Sequence, residues 1–561
     1  MKRIWLSALL FLIPTAAHSQ DVAGDWQGTL HAGMDLHLVL HITKGDGGAL
    51  KATLDSVDQG AYGIPVSSIS LKNSNLTLGV DAVHGTYEGK LSGDGNTMSG
   101  TWTQGQTLPL DFKRSAAKIE SKSVAPSDID GAWLGTLEVG PIKLRVVFHI
   151  VNTQDGLVAT LDSPDQNVSG MPTSKTTREG TTLKIEVQKI DGIFQGKIAA
   201  DLGSIEGTWT QAGSAHPLVL HRVKDKAELA PPRRPQNPTK PYPYRDEDVF
   251  YENQAQNVTL AATLTIPQGK GPFPAVVLIT GSGPQDRDES LLGHKPFLVL
   301  SDYLTRHGIA VLRADDRGTA KSTGNFATAT TADFATDTEA GIAYLKTRPE
   351  INPHKIGLVG HSEGGEIAPM IAARNPDVAF IVMMAGPGVP GDQILPAQVE
   401  AIDLVSGKSA EEAAKDAAQE RDVLKLIETE KDNAVLEKEI KQKLAGQASD
   451  AEIGAQMKMM SSPWFRFFIS YDPSTDLRKV SCPVLAIIGE KDTQVPPKQN
   501  IPAIRAALEQ GGNKQFEVDE LSGLNHLFQT AKTGAPSEYA QIEETISPVA
   551  LEKMATWISK Q

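Results

Sequence analysis

The sequence predicts a multidomain chain: two repeated small antiparallel β units, then a mostly parallel sheet with helices on both faces and a helical insertion. Three observations carry this reading. Motifs near the N-terminus recur 107 residues later, among them Trp26 as Trp133, Leu54-Asp55-Ser56 as Leu161-Asp162-Ser163, and Trp102 as Trp209. From Pro274 onward, short apolar runs alternate with helical patterns, the signature of parallel strands joined by crossover helices. A Gly-x-Ser-x-Gly motif, Gly360 to Gly364, stands where one such run turns into a helix. At 561 residues the chain is too long for one core.

Met1-Lys2-Arg3 precedes an apolar run from Ile4 to Ile13, and Ala17 and Ser19 offer small residues for cleavage before Gln20. This pattern predicts a signal peptide over 1–19, too short in its apolar part to span a bilayer. Its removal takes two basic residues and no acidic ones, moving the net charge from −14 to −16. An acidic exported chain argues against nucleic acid and anionic membrane surfaces as partners. Cys482 is the single cysteine, so no intramolecular disulfide forms. The expected location is the periplasm or the medium of a bacterium.

The repeats occupy 20–114 and 131–222. Alternating runs such as Leu36–Ile42 and Leu144–Ile150 read as strands, with Gly-Asp turns between them. Each copy opens on Gly-x-Trp and closes on Arg114 or Arg222, which resembles the lipocalin pattern in shorter form. His37, His41 and His149 lie on these strands without the spacing of a metal site. Residues 223–245 are rich in proline and predict a semi-rigid extended linker. The catalytic domain is expected over 246–561. It opens with a hairpin at Asp248–Tyr251 and Val258–Ile266, followed by strands at Ala275–Ile279, Ile309–Leu312, Val378–Met384 and Val484–Ile488. Residues 388–470 interrupt the alternation as a helical insertion placed where a lid would lie. Ser409 and Glu412 form a capping box there, and Leu436, Ile440 and Leu444 form an inner stripe.

A serine on such an elbow needs a base and an orienting acid, in the chain order serine, acid, histidine. Asp492 follows the Val484–Ile488 run and His526 follows a strand near Phe516, both at carboxyl ends of strands where ligands converge. Ser362 is therefore the expected nucleophile, His526 the base and Asp492 its orienter. Glu490, Asp472 and Asp476 compete for the acid role, and His294, His307, His354 and His361 for the base. The oxyanion donors are expected to be the N–H groups of Glu363 and of Ser282, with Gly283 the alternative to Ser282. Trp464 and Phe465, in an aromatic run that closes the insertion, are candidates to line the acyl pocket. No metal site and no cofactor are expected.

The loop Gly281–Asp288, Asp316-Arg317-Gly318 with Lys321–Gly324, Gly360–Gly365, Gly489–Asp492 and Asn525-His526 together resemble secreted bacterial α/β-hydrolases of the carboxylesterase type. The resemblance covers 248–561 and extends to the prolyl-oligopeptidase and dienelactone-hydrolase branch. It implies an α/β-hydrolase domain with a Ser-His-Asp triad that cleaves small-molecule esters of short to medium acyl chains. Two other readings stand beside it: a serine peptidase of the prolyl-oligopeptidase kind, and a polymer- or ligand-binding protein acting through the β repeats. Peptidases of that kind carry propeller blades and an aromatic residue after the serine, whereas Glu363 follows Ser362 here.

Overall fold

The computed structural model describes residues 22–561 except 32–34, 45–49, 57–60, 73, 81–82, 84, 105, 115–124, 140–141, 154–155, 167, 212–213 and 446–449. The expected leader at 1–19 lies outside the described residues. The chain divides into two compact units: Met1–Ser127 with Val151–Gly156 and Gly170–Pro172, and Asp128–Ile150 with Leu157–Ser169 and Thr173–Gln561.

Each repeat is a curled nine-stranded antiparallel sheet with the same strand order. In the first, the opening strand Gly24–His31 pairs with the second strand, Asp35–Lys44, and with the last, Gln106–Arg114. In the second, Gly131–Val139 pairs with Ile142–Thr153 and Ser214–Arg222. That pairing explains the motif at the two ends of each copy. Trp26 lies opposite Arg114 and Trp133 opposite Arg222 in register. Each guanidinium stacks over its indole, at 4.3 Å and 4.5 Å. The indole N–H groups donate to the carbonyls of Val22 and Ile129, so the buried aromatic leaves no unmet donor. Large side chains fill the concave faces: Leu40, Tyr87, Met98 and Phe112 in one, Phe148, Phe194 and Trp209 in the other.

The catalytic domain holds eight strands: β1 (Arg245–Asn253), β2 (Val258–Ile266), β3 (Phe273–Ile279), β4 (Ala310–Ala314), β5 (Ile351–His361), β6 (Ile381–Met384), β7 (Val484–Gly489) and β8 (Phe516–Leu521). Their order in the sheet is β1-β2-β4-β3-β5-β6-β7-β8. The β1–β2 and β2–β4 pairs are antiparallel, and every later pair is parallel. Helices α1 (Pro296–Arg306), α2 (Thr331–Lys346) and α3 (Glu363–Ala372) connect the first strands. Five helices form the insertion: α4 (Gly391–Val405), α5 (Ala410–Thr429), α6 (Asn433–Lys443), α7 (Asp450–Met460) and α8 (Pro463–Ser470). The chain ends through α9 (Ser474–Leu477), α10 (Pro497–Gln510) and α11 (Pro548–Ile558).

Both faces of the sheet are covered, so β3, β6 and β7 are apolar without alternation. One face packs on α2, α3 and α10 through Ile342, Leu345, Ile371 and Ile504. The other packs on α1 and α11 through Phe297, Leu304, Leu551 and Met554. The insertion has its own small core, in which Leu436 and Ile440 join Val423, Leu424, Ile427 and Phe468 while Leu444 is half-buried beside them. The capping box at the start of α5 forms as the Ser409–Glu412 spacing predicts.

The proline-rich stretch departs from the expected linker. Its proline pattern sets local stiffness, but polar side chains between the prolines dock it on the catalytic domain. Arg234 donates to the carbonyls of Leu292, Ala540 and Ile542, and Gln236 joins the backbone of Thr545 and Ile546.

Candidate active site

Ser362 sits between the last residue of β5 and the first of α3, with φ 52° and ψ −116°. A non-glycine residue adopts that conformation only when its surroundings over-determine it. The surrounding glycines are required by close approach. A Cβ on Gly360 would lie 1.9 Å from the Gly364 carbonyl oxygen, and one on Gly364 would lie 2.1 Å from that of Ile279. Ser362 N–H donates to the Met384 carbonyl at 2.8 Å, tying the turn to β6. The serine remains partly exposed while its neighbours His361 and Glu363 are buried.

Asp492 and His526 come together, and the His526 carbonyl meets Nε2 of His361, the residue before the serine. His526 Nδ1 donates to Asp492 Oδ2 at 2.8 Å, and Asp492 Oδ1 accepts from the N–H groups of Gln494 and Val495. The pair is almost entirely shielded, with side chains 5% and 0% exposed. With Nδ1 committed to the acid, the imidazole presents its lone pair on Nε2. The competing acids are occupied elsewhere. Glu490 accepts from Ser522 and Gly523, Asp472 holds Ser474, and Asp476 pairs with Tyr471 and Lys479. Among the histidines, His294 is buried against Thr545 and the Tyr539 carbonyl, and burial beside Arg234 lowers its pKa to about 4. His307 closes on the Tyr303 carbonyl of its own helix.

The loop after β3 frames the other side of the serine. A Cβ on Gly281 would stand 3.3 Å from Ser362 Cβ, so that backbone crosses directly beside the nucleophile. The Gly281 N–H is already taken by Glu289 Oε1 at 2.8 Å, which directs attention to the next N–H groups, of Ser282 and Gly283, as donors. The same loop is braced by ion pairs, as the alternation of Asp and Arg there suggests. Arg287 meets Asp315 with a bidentate contact and Arg313 reaches Asp288, while Arg317 on the loop after β4 grips Asp337 of α2. Asp316 accepts from Thr280 and from Gln285 N–H, and burial pushes its pKa well above the carboxylate range.

Two contacts were not visible in the sequence. The Glu363 carboxylate accepts from Thr331 Oγ1 and from the indole N–H of Trp464, both at 2.8 Å, with Ser282 beside it. Burial raises its pKa against those donors. Trp464, a candidate pocket wall, thus directs its polar edge at the elbow itself, and its ring stacks on Phe468 at 5.6 Å. Phe465 is buried within the insertion's own core. It packs there with Val423, Leu424 and Ile427 of α5. The second contact is a buried pair, His361 with Glu289 at 2.9 Å. Its only sequence signal was a histidine next to the nucleophile.

The strand order, the elbow and the shielded acid–histidine pair define the class, a serine hydrolase on an α/β-hydrolase fold. A family model described as X-Pro dipeptidyl-peptidase (S15 family) matches residues 256–519. Esterase EstD of Thermotoga maritima is 27% identical over 318 residues, covering 56% of this chain and 69% of that protein. Similar solved structures include the Pyrococcus furiosus esterase Pf2001, at 17% identity, TM-score 0.34, 56% of this chain and 91% of that one. Another is the hypothetical protein PA2218 from Pseudomonas aeruginosa, at 16% identity, TM-score 0.38, 58% of this chain and 96% of that one. The family match and the esterase relative support a carboxylesterase-type α/β-hydrolase.

Proposed function

We propose that the chain hydrolyses carboxylic esters of short to medium acyl length through an acyl-enzyme on Ser362. His526 takes the proton from Ser362 Oγ as it attacks the carbonyl and returns it to the departing alcohol. Asp492 fixes the imidazole and stabilises its cation. The N–H groups of Glu363 and Ser282 receive the oxyanion, and water repeats the sequence to free the acid. The chemistry calls on no cofactor. What supports this most is one juxtaposition: a serine held at φ 52° and ψ −116° beside a buried acid–histidine pair at 2.8 Å.

The esterase relative supports the substrate class. A peptidase reading draws on a separate observation, the match to the X-Pro dipeptidyl-peptidase model. The insertion α4–α8 serves as a lid, since Trp464 reaches from it to the elbow. The leader pattern at 1–19 supports export to the periplasm or beyond. Among the described residues no helix is long and apolar enough to cross a membrane.

Initial rates on p-nitrophenyl esters of increasing acyl length, beside aminoacyl and prolyl nitroanilides, test the reading. Esters are expected to turn over and anilides not. Ser362→Ala should lose ~10⁴-fold or more in kcat and all labelling by a fluorophosphonate. Faster turnover of the anilides would establish the peptidase reading, and labelling of the Ala variant would place the nucleophile elsewhere.

A further inference from the structure

Beside the triad lies a second buried acid–histidine pair that the mechanism above does not use. His361 is the last residue of β5, immediately before Ser362, and Glu289 lies on the loop after β3. Their side chains are 8% and 6% exposed. His361 Nδ1 meets Glu289 Oε1 at 2.9 Å, while Nε2 meets the main-chain carbonyl of His526 at 3.0 Å. The two imidazoles stand 4.9 Å apart, centre to centre. Glu289 Oε1 also accepts from Gly281 N–H at 2.8 Å.

From these contacts we infer that Glu289 and His361 are positioning residues, an imidazolium–carboxylate clamp that sets His526 and the oxyanion loop against Ser362. The inference rests on the assignment of Ser362 and His526 as nucleophile and base. A carbonyl oxygen only accepts, so Nε2 must carry a proton. In the proposed clamp Glu289 is a carboxylate, so its Oε1, which already accepts from Gly281, accepts from Nδ1 as well, and Nδ1 also carries a proton. His361 is then a cation whose counter-charge is Glu289. Burial opposes that charge, and the Glu289 carboxylate, the His526 carbonyl and the more distant Asp492 outweigh it, holding the His361 pKa above the ordinary histidine value.

The clamp joins the three pieces of chain on which the reaction depends. Gly281 precedes the proposed donor Ser282, His361 precedes the nucleophile, and the His526 carbonyl belongs to the base itself. The loop is built to deliver Glu289. That residue takes φ 52°, and Asp286 accepts the N–H groups of Asp288 and Ser290 on either side of it. A neutral amide cannot replace the acid. In Glu289→Gln the oxygen still accepts from Gly281, but a neutral His361 has one ring proton for two acceptors, and one contact becomes repulsive.

The test combines kinetics and a direct view of His361 in the full chain. In Glu289→Gln, kcat on p-nitrophenyl acetate should fall roughly 10²-fold, the scale of a small misplacement of reacting groups, with KM and melting temperature little changed. In ¹⁵N-histidine-labelled wild type, with His361→Asn as the assignment control, His361 should carry both ring protons near neutral pH, where an ordinary histidine is mostly neutral. In Glu289→Gln it should carry only one there. A wild-type kcat in Glu289→Gln, or an unprotonated His361 nitrogen in the wild type near neutral pH, would overturn the inference. If Glu289→Gln fails to fold, the wild-type spectrum decides alone. Absence of fluorophosphonate labelling in the wild type would instead condemn the underlying catalytic assignment.

Discussion

Glu366 is an acid kept from water and from partners. It lies one turn into α3, 2% exposed, and its Oε1 has no hydrogen-bond partner among the described residues. Burial, and then the charge of Glu363, push its pKa well above the carboxylate range. The consequence for stability follows from linkage. In the unfolded chain the carboxyl ionises near its ordinary value of ~4.3, while in the fold it stays neutral to higher pH. The protonated form is the one the fold favours, so this contribution is complete in acid and is lost as pH rises through the folded pKa. Glu366→Gln keeps the neutral shape at every pH. It should therefore melt above the wild type at about pH 8 and level with it at about pH 4. Thermal melts of both proteins at the two pH values decide this, and an equal offset at both would show that the charge is not the cause.

At the scale of elements, α8 is tied to the elbow by one hydrogen bond. Trp464 reaches Glu363, 101 residues away in sequence, at 2.8 Å. Trp464→Phe keeps an aromatic ring to stack on Phe468 and removes only the donor. The buried Glu363 would then lack one of its partners, at a cost of about 1–3 kcal/mol. If α4–α8 is a lid, that cost falls on its closed position. KM should rise several-fold for longer acyl esters, while kcat on acetate esters changes little. A uniform loss across acyl lengths would instead mark Trp464 as support for the elbow alone. The same bond shows what the sequence leaves legible. Ser362 can be read because its glycines answer local sterics, and β3, β6 and β7 because burial on both faces leaves uninterrupted apolar runs. Asp492 and His526 follow from strand ends alone. The Glu363–Trp464 and Glu289–His361 contacts are different, since each joins residues that only the folded sheet brings together. The aromatic run told only that Trp464 closes the insertion, and nothing local told which way its N–H would point.

At the scale of the whole molecule, most of the second repeat falls in one compact unit with the catalytic domain, and the 223–245 stretch is the stitch between them. Arg145 of the repeat holds Asp165 and also donates to the carbonyls of Glu228 and Ala230, fixing the start of that stretch. Arg234 then crosses to the carbonyls of Leu292, Ala540 and Ile542. Leu144 from the repeat packs with Leu292, Leu527 and Tyr539, so this seam adjoins the residue that follows His526. A spacer would leave catalysis indifferent to such contacts; a supporting wall would not. Arg234→Ala removes three charge-assisted donors at once and leaves three carbonyls to find water. With each such bond worth about 1.5–3 kcal/mol, and with part lost to solvent because Arg234 is only partly buried, a net cost of roughly 2–3 kcal/mol is expected. The catalytic domain should melt several degrees lower, and kcat should fall because the loop carrying His526 loses its backing. Lys at position 234 is the informative companion. It keeps the charge but cannot span three carbonyls with a planar fork, so it should recover only part of the melting temperature. If Arg234→Ala melts and turns over like the wild type, the docked stretch carries no load and the repeat is a spacer after all.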